Sequence, residues 1–593
     1  MDARADSSLL APLTRHAREA SLPFDIAGAA EAREKAGHIA QQVEDHLAPR
    51  LASLEAPLLA VVGGSTGSGK STLVNALVGE SISRAGALRP TTRQPVLVHH
   101  PADTTWFEGE RILPSLPRVH MSASSPEARE RGTGFGTALH LVESERVPQG
   151  IALLDAPDID SVSRENRELA GQLLRAADLW IFVTTAHRYA DAVPWLALAQ
   201  AAEREVTVIV VMNRIPHKDG VVEDLTSHLS AMLAERGVVT ERLLAIHEQE
   251  LGDTELLDTD EVRELSAWLG ALARDKEARS AIAQRTLRGA LVTTAQSLDE
   301  LADAISTQEE ERDRLAALAR AEFDQAKDSI SSLTRDGALL RGEVLARWQD
   351  VVGTGEFFKG VQGWISRTRD RLTAAITGRT RPVVAAENAI ETGLVTVVID
   401  QVAHARSRTV RAWNSHAAGT SLLQSSPGLA VTLMQVPDDF RRTVEDQVRA
   451  WQKDVLELVQ TEGSDRRTQA RVLSLGVNVV GIALMVVVFA STAFMPTGLE
   501  VGAGTATALV GQKLLESIFG DEAVRRLAKK ARAMLDSRIG NVVDAQATAF
   551  AKALAAQPIT TPSSAIRADA DSVRALIESL GGASAPRARG DRE

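Results

Sequence analysis

The sequence predicts an α/β P-loop domain with a mostly parallel sheet, followed by a long α-helical bundle or stalk and a transmembrane hairpin. Three observations predict it. Short apolar runs alternate with helix-like stretches between about residues 56 and 270, and the first run enters a glycine-rich loop. From about 271 to 465 the pattern is helical almost throughout. Residues 472–499 contain no charged side chain.

At 593 residues the chain is too long for one core, so several units are expected. Apolar residues make up 44% and charged residues 24%, which is ordinary globular composition rather than that of a disordered chain. Aromatics are scarce at 4%, while Ala, Leu, Val and Arg are abundant, a mix that favours helix. The formal net charge of -12, with no basic stripe interleaved with aromatics, argues against nucleic acid as a partner. With no cysteine, disulfides, thiolate metal sites and cysteine catalysis are excluded. The first twenty residues hold no continuous apolar run, so no secretory signal is expected. His99, His100, His187, His217 and His247 lack metal-ligand spacing and read as structural.

Residues 1–55 read as a helical segment. In the 56–270 domain, Leu58 to Val62 reads as a buried strand running into Gly63-Gly64. Ile151 to Leu154, Leu179 to Val183, Val206 to Met212 and Leu243 to Ile246 read as further strands. They end in Asp155, Thr184-Thr185 and Asn213, and polar residues at the carboxyl ends of parallel strands are where such folds bind ligands. In 271–465, Leu298, Leu301 and Ile305 share one helical face, as do Val444, Val448, Trp451, Val455 and Leu458. This is a bundle core or, less simply, a partner-binding coiled coil. The tail, 536–593, reads as helical and flexible, with a helix near 565–580.

Gly64-Ser65-Thr66-Gly67-Ser68-Gly69-Lys70-Ser71 fits GxxxxGK[ST], after a strand and before a helix that opens at Thr72. The glycines let backbone N–H groups face phosphates, and the helix N-terminus adds its dipole. Lys70 is expected to reach the β- and γ-phosphates, and the Ser71 hydroxyl to bind Mg²⁺. Arg89-Pro90-Thr91-Thr92-Arg93 lies where a switch I threonine would close on Mg²⁺ and the γ-phosphate, with Thr92 favoured over Thr91. Asp155-Ala156-Pro157-Asp158 resembles the DxPG of switch II, with Asp155 in the Mg²⁺ shell. Asp158 stands where the glycine belongs, and Ile159 where small GTPases carry a water-orienting glutamine. Hydrolysis therefore needs another group, and Arg89, Arg93 and Arg188 are candidates alongside a group from a second subunit. For the base, Asn213 and Arg214 match the first two positions of [NT]KxD, while Pro216 replaces the aspartate that pairs with guanine. Asp219 could substitute from the following loop. GTP/GDP is favoured over ATP.

The segments GGSTGSGKSTLVNALVG, RPTTRQPV, LLDAPDIDSV and DLWIFVTTAHRYADAVPW resemble a bacterial dynamin-like GTPase of the actinobacterial type, over most of 57–215. The resemblance implies GTP hydrolysis, with Lys70, Ser71, Thr92 and Asp155 carrying it. It implies a neck and stalk from the flanking helices, and self-association or pairing with a paralogous GTPase.

The tract 472–499 is long enough to cross a bilayer core, which takes about 20 apolar residues as a helix. A first crossing is expected over 472–494 and a second, weaker one from Val501 to about 519, within a hairpin region of 466–535. Arg466, Arg467 and Arg471 precede it, and Arg525, Arg526, Lys529, Lys530 and Arg532 follow, so both ends are expected on the cytoplasmic side, near anionic lipid. The alternative is a buried helix pair inside the bundle. Together these readings predict a GTPase at the cytoplasmic membrane, its GTPase domain in the cytoplasm. It would drive fusion, fission or septal remodelling in cell division. A membrane-anchored switch and a transport ATPase subunit are the alternatives.

Overall fold

The computed structural model describes residues 10–82, 94–109, 112–114, 116–121, 138–161, 163–251, 256–335, 347, 380–462, 472, 476–489 and 503–582. These form two compact units. The first comprises residues 1–22, 28–307 and 559–593, and the second 23–27 and 308–558.

The first unit is built on an eight-stranded sheet. Its strands are β1 (Leu58–Gly64), β2 (Val96–His99), β3 (Arg118–Met121), β4 (Leu139–Glu143), β5 (Ile151–Asp155), β6 (Leu179–Thr185), β7 (Thr207–Ile215) and β8 (Thr240–His247). Their order across the sheet is β3-β4-β2-β5-β1-β6-β7-β8. From β5 to β8 every pairing is parallel. β2 runs antiparallel to β5 and carries β4 and then β3 parallel to itself, so the sheet reverses once. The sequence showed the parallel half. It did not show β2, β4 and β3, which are four- and five-residue strands, β3 being largely exposed at the edge.

Both faces of the central strands are covered, which is why β1, β5 and β6 are buried at every position. Leu58, Ala60 and Val62 pack on one side with Leu73 and Val74 of the helix Lys70–Val78 and with Leu265 and Leu269 of the helix Thr259–Arg274. Leu59 and Val61 point the other way, toward Leu169 and Leu173 of the helix Arg164–Arg175.

The N-terminal helices belong to this unit. Leu13, Ala36, Ile39 and Leu47 share a core with Leu291 and Leu298 of the helix Lys276–Arg335 and with Ile566 and Val573 of the helix Ser563–Gly582. His16 Nδ1 lies 2.8 Å from Asp569 Oδ2 across that bundle. A buried ion pair joins the bundle to the sheet: Arg50 pairs with Asp178, and Asp178 Oδ2 also accepts from the Leu59 N–H at 2.8 Å. Burial pushes the Asp178 carboxyl up, and Arg50 opposes the shift.

Among the described residues the second unit is all helical. Its core holds the predicted face that falls within it: Val444, Val448, Trp451 and Val455 are buried, and Leu458 packs against them. The expectation of a transmembrane hairpin finds no support among the described residues. The described part of the first crossing is the 13-residue helix Val477–Phe489. No helix among the described residues is long and apolar enough to cross a membrane. Val480 to Phe489 are all buried in protein, between the helices Thr380–Asn414, Phe440–Glu462, Ala503–Phe519 and Asp521–Ala555. The Trp451 ring meets Phe489 edge-on at 5.6 Å. A helix apolar all round must be surrounded, and here other helices do it. Residues 463–471, 473–475 and 490–502, which belong to the predicted hairpin, lie outside the described residues.

An unpaired carboxylate in that core should be severely destabilising. Leu484→Asp is expected to cost the second unit about 4 kcal/mol, read as faster hydrogen exchange across Phe440–Glu462 in lipid-free solution. Unchanged exchange would show that Val477–Phe489 is not part of this core.

Candidate functional site: a phosphate-binding loop at the carboxyl edge of the sheet

Because β5, β1, β6 and β7 are adjacent and parallel, their carboxyl ends converge. Val62 of β1 is in register with Asp155 of β5, Gly64 with Val183 of β6, and Thr185 with Asn213 of β7. The sheet alone therefore brings the glycine loop, Asp155 and Asn213 to one edge.

The loop turns at two positions that exclude a side chain. A Cβ at Gly64 would collide with the Val183 carbonyl. Gly69 caps the helix Lys70–Val78 at φ 95°, and a Cβ there would collide with the Asn213 amide nitrogen. The chain then wraps around the Lys70 ammonium. Nζ donates to the Gly64 and Ser65 carbonyls, both at 3.1 Å, and to Asp158 Oδ1 at 2.5 Å. Lys70 is only 4% exposed, so these acceptors replace its hydration. The Ser71 hydroxyl, one residue along, donates to Asp155 Oδ2 at 2.6 Å, and Asp155 is fully buried at the end of β5. Ser65, Thr66, Gly67 and Ser68 form the turn, and Thr72 lies in the first turn of the helix. The Ser65 and Ser68 hydroxyls are buried and have no hydrogen-bond partner among the described residues.

Lys70, Ser71 and Asp155 thus come together at one edge of the sheet. Thr92, with Arg89, Thr91 and Arg93, lies outside the described residues. Asn213 is brought in, but its side chain faces the loop: Nδ2 donates to the Ser68 carbonyl at 2.9 Å, and Oδ1 accepts from the Arg214 N–H at 2.9 Å. Arg214 is exposed, with a left-handed backbone (φ 57°) at a register shift between β7 and β8. Pro216 and Asp219 are also exposed, in the loop that follows.

Two groups carry more than the sequence suggested. Asp158, noted only as a departure from the switch II glycine, is the ion-pair partner of Lys70. Asp160, two positions further on, belongs to no sequence motif. Its Oδ1 accepts from the Thr66 N–H at 2.6 Å and from the Thr66 hydroxyl at 2.8 Å. Its Oδ2 accepts from Arg188 Nη2 at 2.8 Å. Burial alone would raise the Asp160 pKa, but the two Thr66 bonds and then Arg188 outweigh it and hold the carboxyl below its ordinary value. A carboxylate held low contributes stability above its ordinary pKa, lost only as pH falls through the depressed value, so Asp160 is fully ionised at neutral pH.

The chemistry is that of a phosphate site. A buried ammonium, unpartnered hydroxyls and a helix N-terminus favour an anion, and a buried carboxylate beside a serine hydroxyl supplies hard oxygen ligands for a cation. Asp158 and a phosphate would compete for the same ammonium. Asp158→Asn should therefore tighten GTP binding about tenfold, or about 1.4 kcal/mol, measured by titration of a fluorescent GTP analogue. Weaker binding would show instead that Asp158 supports the loop.

Comparison with known proteins agrees with this geometry. Residues 59–215 match the model of the dynamin family. None of the curated proteins matches the chain. Among solved structures, two from an oligomerised bacterial dynamin pair, described as a mechanism for long-range sensing and tethering of membranes, are similar at 12% and 10% identity. Each covers 98% of this chain and 94% of its own, with TM-scores of 0.43 and 0.40. Toc33 from Arabidopsis thaliana, in complex with GDP and Mg²⁺, is similar at 15% identity, over 46% of this chain and 96% of its own, with a TM-score of 0.22. These structural likenesses are loose, and the assignment rests on the family match and on the site. Residues 59–215 form a dynamin-family domain that carries the phosphate-binding loop and Asp155.

Proposed function

We propose that this GTPase couples its nucleotide cycle to self-association and to remodelling or tethering of the cytoplasmic membrane. The observation that carries the proposal is the Lys70–Ser71–Asp155 cluster within a dynamin-family domain, in a chain that also carries a separate unit helical throughout its described residues. Lys70 would hold the β- and γ-phosphates, and the N–H groups of Gly67 to Ser71 would cradle them. Ser71 and Asp155 would hold Mg²⁺, which supplies charge neutralisation on the phosphates, with Thr92 closing from switch I. Two protein oxygens suit Mg²⁺, which keeps waters and phosphate oxygens as its other ligands. Arg214, exposed beside the loop, would stack on the base through its side-chain stem. Self-association, or pairing with a paralogous GTPase of the same bacterial type, would supply the hydrolytic group that Ile159 does not.

Membrane contact would involve exposed basic residues near the apolar tract. Of the flank after the apolar tract, Lys529 and Lys530 are exposed. Arg532 is not available, because it is buried against Ser331, Thr334 and Asp536. Arg526 pairs with Glu462 and Glu522.

The test is GTP and ATP turnover by the full-length protein, with and without anionic liposomes, beside Lys70→Ala. GTP-selective turnover that rises several-fold with lipid or protein concentration, and is lost in the variant, is expected, since assembly-supplied groups can be worth about 10³-fold or more. ATP preference would overturn the guanine assignment. Turnover indifferent to lipid and concentration would leave a GTPase switch without membrane work.

A further inference from the structure

Thr66, at the tip of the phosphate loop, is held through all of its polar groups by two other loops. Its N–H and hydroxyl both donate to Asp160, on the segment after β5. Its carbonyl accepts from Arg188 Nη1 at 2.9 Å, on the segment after β6. Arg188 closes the ring by donating from Nη2 to Asp160, and its Nε donates to Asp191 Oδ2 at 2.7 Å. Asp160, Arg188 and Thr66 therefore form a closed, charge-assisted clamp joining three loops.

We infer that Asp160 and Arg188 are positioning residues for GTP hydrolysis, acting through Thr66 to set the phosphate loop against the segment that carries Asp155 and Asp158. The inference rests on the GTPase reading of this same site. Three points support it. First, the clamp grips the loop one residue before Gly67, where the phosphate-facing N–H groups begin, and grips the acidic segment two residues after Asp158. It thereby fixes both partners of the Lys70 and Ser71 contacts relative to each other. Second, Asp160 is half-buried and ionised at working pH, so its bond to the guanidinium is charge-assisted. Third, each of the three nitrogens of Arg188 donates to an acceptor within the protein, two of them carboxylates, so its charge is already balanced where it stands. Arg188 is thus a strut under the loop rather than a free cation waiting for a transition state. Small misplacements of reacting groups cost rate steeply, about 10²-fold for 1 Å, so a strut here should act on turnover more than on affinity.

The experiment is steady-state GTP turnover by the full-length protein for Asp160→Ala, Asp160→Asn, Arg188→Ala, Arg188→Lys and the Asp160→Ala/Arg188→Ala pair. Each is measured with its Kd for a fluorescent GDP analogue and its thermal midpoint. The alanine variants are expected to lose about tenfold or more in kcat with KM and Kd within about threefold. The double variant should be no slower than the worse single, since the two groups act as one unit. Asp160→Asn, which keeps an acceptor for Thr66, and Arg188→Lys, which keeps the charge, should retain part of the rate and keep the conservative variants informative if an alanine variant fails to fold. Rates within twofold of wild type, losses that multiply in the double variant, or a kcat loss matched by equal losses in affinity and thermal midpoint would each overturn the clamp. Wild-type protein that turns over no GTP, or turns it over unchanged in Lys70→Ala, would instead overturn the GTPase reading beneath it.

Discussion

A buried ammonium group organises the nucleotide-binding end of this protein. Lys70 sits at the first turn of a helix, where the helix dipole is itself positive, and almost no water reaches it. Such a charge is tolerable only if acceptors surround it. The loop supplies two of its own carbonyls by folding back through Gly64, and the segment after β5 supplies Asp158. The requirement to satisfy one cation thus explains the tight glycine turn. It also explains why the acidic segment lies over the loop and why the strands beneath must end in register.

The same edge is reinforced by contacts that need no motif. Asn213 ties the end of β7 to the Ser68 carbonyl, so the residue expected to face a base also supports the phosphate loop. Asp160 and Arg188 tie the loop tip to the segments after β5 and β6. Each link joins a strand end to the loop, and the parallel order of β5, β1, β6 and β7 makes all of them possible at once. At the opposite end of the strands, Arg50 and Asp178 join the sheet to the N-terminal helices through a pair that neither charge could leave without cost.

In the helical unit, one apolar tract had two possible solvents. A run of Val, Leu, Ile and Met without charge satisfies a bilayer or a protein core equally well, because both are hydrocarbon. Four neighbouring helices cover Val480 to Phe489. Of the basic flank, Arg532 turns inward to Ser331 and Thr334, while Lys529 and Lys530 stay exposed.

Much of the nucleotide-binding domain was legible in the sequence. Five strands, the glycine loop, Lys70, Ser71 and Asp155 could be read there because their signals are local: apolar runs of strand length, glycines where a side chain cannot fit, and polar residues at strand ends. β2, β4 and β3 escaped because strands of four or five residues carry too little pattern, and pairing across the sheet stabilises what propensity does not. Asp158, Asp160 and Arg188 were visible as residues but not as partners, since Asp160 and Thr66 are 94 positions apart and only the parallel sheet brings them together. The sequence by itself determined which chemistry the chain holds, because that is written in residue type and short spacing. Which charges meet, and which helices surround Val480 to Phe489, emerge only in the folded chain, because both depend on surroundings assembled from distant parts of the sequence.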